Sequence, residues 1–172
     1  MVSPTRARSF PPLARRDARV LILGSMPGAE SLRRRQYYAH PANQFWPIMG
    51  ALFDAGRELP YAERVNRLLD RGIAVWDALK HCERDGSLDS GIRRDSEVVN
   101  DFAKFFGRHR SIRAVFFNGG KSETVFSREV RARLGARAEQ LRCVRLPSTS
   151  PAHASLPRAA KLKAWRSIED SL

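Results

Sequence analysis

Asn43 closes the run His40-Pro41-Ala42-Asn43, which follows two adjacent tyrosines, Tyr37 and Tyr38. A side-chain amide carries a donor and an acceptor on one flat group, so it can hold a water or read the edge of a planar ligand. Tyrosine rings offer faces on which such a ligand stacks. Upstream, Gly24-Ser25-Met26-Pro27-Gly28 has the composition of a sharp turn whose backbone approaches a ligand closely. A plainer reading makes the tyrosines core residues and Asn43 a helix cap. On residue types alone the two readings stand level.

A second loop, Leu146–Pro157, shifts the balance. Ser148, Thr149 and Ser150 supply short hydroxyls suited to phosphate oxygens, and Pro151 stiffens the turn. The Ala152-His153 tip can enter a duplex where one base has left the stack. Two other chemistries fail on spacing. Asn118-Gly119-Gly120-Lys121-Ser122 looks like the end of a phosphate-binding loop, but the glycine that pattern needs is Val115. A strand-to-helix turn remains, at which Lys121 and Ser122 can hold a phosphate. Gly24-Ser25-Met26-Pro27-Gly28 places serine second rather than central, so it is no nucleophile elbow.

Charge agrees with a phosphate-bearing partner. Thirty-one Lys and Arg against 18 Asp and Glu leave a formal +13. Only five of the 31 are lysine, so arginine bias contributes, yet the deficit of acid still favours nucleic acid. Cys82 and Cys143 read as reduced thiols rather than a disulfide framework, and two cysteines cannot hold an iron–sulfur cluster. His81-Cys82 matches no common zinc spacing. No apolar run reaches the roughly 20 residues of a membrane span, and the N-terminus has no secretory apolar stretch. We therefore expect a cytoplasmic monomer with no metal and no cofactor.

Four apolar runs must position these loops: Ala18–Leu23, Ile73–Trp76, Arg113–Asn118 and Leu141–Leu146. They are mostly unalternating, as strands covered on both faces are. Helical patterns lie between and after them, over Asn43–Ala55, Pro60–Leu69, a stretch capped by Ser96 and reaching His109, Lys121–Leu134 and Leu156–Leu172. The alternation predicts an α/β fold, a three-layer α/β/α sandwich on a central, mainly parallel four-stranded sheet. Both loops then fall at the carboxyl edge, where such sheets bind ligands. One domain spans residues 1–172, with residues 1–17 expected as a flexible basic arm. Trp76, Phe116 and Phe117 are expected in the core.

Gly-Ser-Met-Pro-Gly, Tyr-Tyr-Ala-His-Pro-Ala-Asn-Gln-Phe-Trp, the stretch Gly72–Asp89, Asn-Gly-Gly-Lys and Leu-Pro-Ser-Thr-Ser-Pro-Ala-His-Ala follow one another from about Arg19 to Leu156. In that order they resemble the uracil-DNA glycosylase superfamily, most nearly its hypoxanthine-DNA (deoxyinosine) glycosylase branch. They are also similar to mismatch-specific uracil-DNA glycosylases. The resemblance implies that Asn43 orients the attacking water, and that the flipped base lies against Tyr38 among Gly24, Ser25, Met26, Pro27 and His40. Asp77 either contacts the base or caps the next segment. Asn118, Lys121, Ser148, Thr149, Ser150, Pro151, Ala152 and His153 are expected on the DNA side. Met26 stands where the mismatch-specific relatives carry asparagine, and Ser148 replaces the Asn or His of their second motif. Both changes favour a deaminated purine. The implied activity is base excision repair by a monofunctional glycosylase that leaves an abasic site. Action on uracil in G·U mismatches and damage binding without catalysis are the competing expectations.

Overall fold

The run Val20-Leu21-Ile22-Leu23 is apolar at every position, and such a strand needs both faces covered. A computed structural model, which describes residues 3–172, builds the chain around it. The strands are β1 (Thr5–Arg8), β2 (Val20–Gly24), β3 (Ile73–Asp77), β4 (Leu79–Arg84), β5 (Val98–Val99), β6 (Ala114–Asn118) and β7 (Arg142–Leu146). The helices are α1 (Ala29–Arg34), α2 (Phe45–Phe53), α3 (Tyr61–Asp70), α4 (Phe102–Arg108), α5 (Gly120–Val125), α6 (Arg131–Leu134), α7 (Ala136–Glu139) and α8 (Arg158–Trp165). Parallel pairing sets β3, β2, β6 and β7 side by side in that order, with Leu23 opposite both Trp76 and Phe117.

Successive strand residues point to opposite faces. Leu21, Leu23, Trp76, Val115 and Phe117 pack with Phe102, Phe105 and Phe106 of α4 and with Phe126. Val20, Ile22, Val75 and Phe116 pack with Phe45, Trp46 and Met49 of α2 and Trp165 of α8. The three layers, the four parallel strands and the buried Trp76, Phe116 and Phe117 are as expected. Cys82 is buried, Cys143 is exposed, and both are free thiols.

Three expectations are corrected. The flexible arm fails from Thr5 onward, because β1 pairs antiparallel with β4, and β4 in turn pairs with β5. Farther along, Leu13 and Val75 exchange 2.9 Å backbone bonds. Ladder bonds belong to the backbone, so an arginine-rich segment can cover a strand edge that its side chains do not advertise. Residues 1–2 of the expected arm lie outside the described residues. The helix expected after Ser96 begins instead at Phe102, capped by Asp101, whose carboxylate accepts from the Lys104 amide at 3.0 Å. Ser96 Oγ accepts from the Glu83 amide at 2.7 Å, and the β-branched pair Val98-Val99 takes the strand position. The helix after β6 is interrupted by a π turn, Phe126–Val130, between α5 and α6.

Candidate active site

The carboxyl ends of the four parallel strands open into a cavity of about 370 Å³. Its wall is built by the turn after β2, the Tyr37–Asn43 stretch, Asp77 at the end of β3, Ser87–Ser90, Asn118 at the end of β6, and the Ser148–His153 loop after β7. Every candidate residue lines it except Lys121 and Ser122, and Ser122 is buried with its hydroxyl donating to the Gly119 carbonyl.

Gly24 is the tightest point of the floor. A Cβ there would lie 2.5 Å from Asp77 Oδ1 and 2.9 Å from the Tyr38 hydroxyl, so only glycine leaves those groups room. The Tyr38 ring stacks on Phe45 with centroids 4.0 Å apart and planes 22° from parallel. Its hydroxyl is buried and has no hydrogen-bond partner among the described residues. Asp77 Oδ2 is likewise buried and unpartnered. The Asp77 main-chain carbonyl accepts from Asn100 Nδ2 at 2.8 Å, while the carboxyl bonds no backbone amide among the described residues. Asp77 therefore faces the cavity rather than capping. Burial, reinforced by the nearby Asp89 charge and opposed by Arg84, pushes its pKa up to about 7. Burial first, then the Asp77 charge, holds the Tyr38 phenol well above its ordinary range, so its proton stays.

The turn after β2 is held by its carbonyls. The Gly24 and Ser25 carbonyls accept from the Ala78 and Leu79 amides, and the Pro27 carbonyl accepts from Arg84 Nη2 at 2.7 Å. The Ser25 hydroxyl donates to Asp89 Oδ1 at 2.5 Å, and the Ala29 amide donates to Ser87 Oγ at 3.2 Å. The Gly24, Ser25 and Pro27 carbonyls of this turn are thus already occupied within the chain.

The two tyrosines divide the roles that residue types alone could not. Tyr37 is 3% exposed; its hydroxyl donates to the Pro11 carbonyl at 3.0 Å, and its own carbonyl accepts from Trp46 Nε1 at 2.8 Å. Tyr38 has a φ of 54°, and its ring, packed on Phe45 at the edge of that core, lines the cavity. Asn43 stands one residue before Gln44, the N-cap of α2. Its Oδ1 accepts from the Phe45 amide at 2.9 Å at the start of α2, yet the residue lines the cavity and its Nδ2 donates to nothing among the described residues. Arg57 Nη2 clamps the segment by donating to the His40 carbonyl at 2.8 Å and the Asn43 carbonyl at 2.7 Å. His40 itself is exposed, with Nδ1 accepting from the Ala42 amide at 3.1 Å.

In the loop after β7, Thr149 is withdrawn from the surface while Ser148 and Ser150 stay partly exposed. Thr149 is fully buried; its Oγ1 accepts from Asn118 Nδ2 and its amide donates to Asn118 Oδ1, both at 2.9 Å. Its carbonyl accepts from the Gln44 amide at 2.9 Å, joining this loop to the Asn43 segment. Ser148 Oγ accepts from the Ser150 amide, and Ser150 Oγ from the Ala152 amide. Asn118 and Thr149 thus build the loop from inside, while Pro151, Ala152 and His153 form the exposed tip. Gly119, at φ 92°, allows the approach, since a Cβ there would lie 3.1 Å from Ser148 Cβ.

The sequence matches the family model for the uracil DNA glycosylase superfamily over residues 11–169. The chain belongs to the uracil DNA glycosylase superfamily. It is 35% identical over 118 residues to the hypoxanthine DNA glycosylase of Methanosarcina barkeri (strain Fusaro), covering 68% of this chain and 73% of that one. It is 36% identical over 116 residues to the hypoxanthine DNA glycosylase of Methanosarcina acetivorans, covering 67% and 72%. A solution NMR structure of a candidate uracil DNA glycosylase from Methanosarcina acetivorans superposes with a TM-score of 0.76 at 29% identity. That superposition covers 96% of this chain and 99% of that one.

Within this superfamily member, Lys121 is the other candidate the fold removes from the site. Its ammonium pairs with Glu97, which also accepts from Arg128 Nη2 at 2.5 Å and whose side chain is 3% exposed. Lys121 thus spends part of its charge on a buried carboxylate that it shares with Arg128. Conversely, Arg57, Arg84, Ser87 and Asp89 shape the cavity and were not singled out in the sequence. Arg84 is buried at the end of a polar strand, and nothing in its local pattern distinguishes it from the other arginines. No helix among the described residues is long and apolar enough to cross a membrane.

Proposed function

We propose that this chain is a monofunctional DNA glycosylase of base excision repair whose preferred substrate is hypoxanthine in DNA. The reading rests above all on one observation: two buried, unpartnered polar groups, Tyr38 Oη and Asp77 Oδ2, line a cavity at the sheet's carboxyl edge. Buried polar groups without partners are costly, and a site built to bind a polar ligand keeps them open. The names of the Methanosarcina relatives supply the substrate. Hypoxanthine carries acceptors at O6 and N7 on one edge, and a phenol with a neutral carboxyl can donate to both. Met26 in place of an amide withdraws one means of positioning water for uracil.

The basic surface binds the phosphates by charge, releasing counterions as it does so. The damaged nucleotide swings out, its base stacks on Tyr38, and the Ala152-His153 tip occupies the gap. Asn43 then orients a water toward C1′. Water adds its oxygen to C1′ as the C1′–N9 bond breaks, that bond's electron pair leaves with the base, and one water proton ends on the base. Donors at the floor stabilise the charge that gathers on the departing ring. The product is free hypoxanthine and an abasic site; the protein works as a monomer in the cytoplasm.

Oligonucleotides carrying hypoxanthine, xanthine or uracil, incubated with enzyme and then cleaved by alkali at abasic sites, test the assignment. Fastest cleavage at hypoxanthine is expected. Faster cleavage at uracil would replace the substrate, and no cleavage on any strand would leave a damage-binding module.

A further inference from the structure

Lys161 lies on α8, one helical turn before Trp165, and is 2% exposed. Among the described residues no carboxylate pairs with it. Its Nζ donates to the main-chain carbonyl of His153 at 2.7 Å. Burial without a counter-charge also brings its pKa below that of an ordinary lysine. An apolar side chain would fill that space without the penalty of burying an ammonium. The cation has a specific acceptor instead, a carbonyl at the end of the short 3₁₀ turn Pro151–His153. Such turns leave terminal carbonyls without internal partners.

Trp165 does the same at the other end of the loop. Its Nε1 donates to the Pro147 carbonyl at 2.9 Å. One face of α8 therefore grips the segment at its entry, Pro147, and its exit, His153. Between these points Thr149 is tied to Asn118, but Ser148 and Ser150 accept only from amides two or three residues ahead. Local bonds of that kind shape a turn without fixing its height above the sheet. Beyond Thr149, the side-chain hydrogen bond that ties the tip to the rest of the fold among the described residues is that of Lys161.

We propose that Lys161 is a positioning residue, whose ammonium holds the Ala152-His153 tip at the height needed to fill the gap left by a flipped base. This rests on the reading of the cavity as a flipped-base site. Lys161 touches no substrate. It acts through the loop it carries, with Trp165 as the second point of the clamp.

Lys161→Met keeps the aliphatic packing and removes the donor. Under single-turnover conditions, excision of hypoxanthine from a stable duplex should fall about tenfold, while excision from a single strand should change less than about twofold. A structural role alone would lower both alike. Hydrogen exchange at the Ala152 and His153 amides should quicken in the same variant. Trp165→Phe, which keeps an aromatic ring but loses the N–H, should shift both readouts in the same direction and decides the matter if Lys161→Met does not fold. Equal losses on the two substrates, no loss on the duplex, or unchanged exchange would overturn the proposal. If the wild type excises hypoxanthine from neither substrate, the functional assignment fails by itself, and the exchange measurement still judges the clamp.

Discussion

The floor of the cavity and the loop that rims it treat polar groups in opposite ways. On the floor, Tyr38 Oη and Asp77 Oδ2 are buried with no partner among the described residues. In the rim, the Ser148, Thr149 and Ser150 hydroxyls all accept hydrogen bonds from within the chain. An unpaired buried group weakens the folded protein and gains its partner only when a ligand arrives. A paired one strengthens a shape. Floor residues are therefore candidates for recognition and the buried Thr149 for architecture, where the sequence had set the floor against the base and the whole rim against the DNA. Substitutions on the floor should change activity more than stability, and those inside the rim the reverse.

Asn43 should give the largest effect, because it lines the cavity while its Oδ1 holds the start of α2. Asn43→Ala is expected to slow single-turnover excision by roughly 10²-fold or more through loss of the oriented water. DNA affinity should stay near wild type in a filter-binding or anisotropy assay. Losing the bond from the Phe45 amide to Oδ1 should separately lower stability by about 0.5–2 kcal/mol in urea denaturation. Asn43→Asp keeps that acceptor, so its stability should recover even where its activity does not. A folded alanine variant with a wild-type rate would remove Asn43 from the chemistry.

Gly24→Ala comes next. The added methyl would lie 2.5 Å from Asp77 Oδ1 and 2.9 Å from Tyr38 Oη, so one or both must leave the floor. Excision should fall by on the order of 10²-fold, as for a misplaced contact group, with phosphate-driven DNA binding retained. Unchanged base excision would show that the Asp77–Tyr38 edge does not read the base.

How much of this contrast the sequence showed depends on distance along the chain. The four core strands were visible because apolar continuity is a local property. Strand β4, reading Leu-Lys-His-Cys-Glu-Arg, was not, since Arg84 is buried by hydrogen bonds to the Pro27 and Gly86 carbonyls rather than by apolarity. The loops were placed at the correct edge once the strands were known. Tyr37 and Tyr38 could not be separated, because a single left-handed residue sets one ring deep in the core and the other at its edge, on the cavity. Lys121 looked free because its partner Glu97 lies 24 positions away. The raised pKa of Asp77 was equally hidden, arising from burial and from Asp89, which only the folded chain brings near.

Asp77→Asn sharpens the floor through pH. Asp77 has a pKa near 7 in the folded protein, against about 3.8 ordinarily, so between those values the native state binds the extra proton. Its contribution to stability is therefore present in acid and lost as pH rises from about 4 to 7. Asparagine cannot ionise, so the variant should gain on the wild type across that window and be more stable above it, by roughly 2–4 kcal/mol. Urea denaturation at pH 5 and pH 8 checks the sign. Activity should show the companion effect: wild-type excision declines above about pH 7 as the floor loses a donor, while the variant's profile stays flatter. Parallel pH profiles for the two proteins would detach Asp77 from base reading.

The smallest effect on chemistry is expected from the rim. Thr149→Val keeps the buried shape but removes the hydroxyl that accepts from Asn118 Nδ2, leaving that donor short of a partner. Stability should drop by about 1–3 kcal/mol, the penalty of an unsatisfied buried group. The Thr149 amide still donates to Asn118 Oδ1, and its carbonyl still accepts from Gln44, so the loop's course should survive. At temperatures where the variant is folded, the excision rate should remain within about threefold of wild type, because no phosphate loses a direct contact. The salt dependence of DNA binding decides between the two roles. A hydroxyl inside the protein displaces no counterions, so the slope of affinity against salt should be unchanged. A large loss of affinity or activity with stability intact would place Thr149 against the DNA backbone and erase the division between floor and rim.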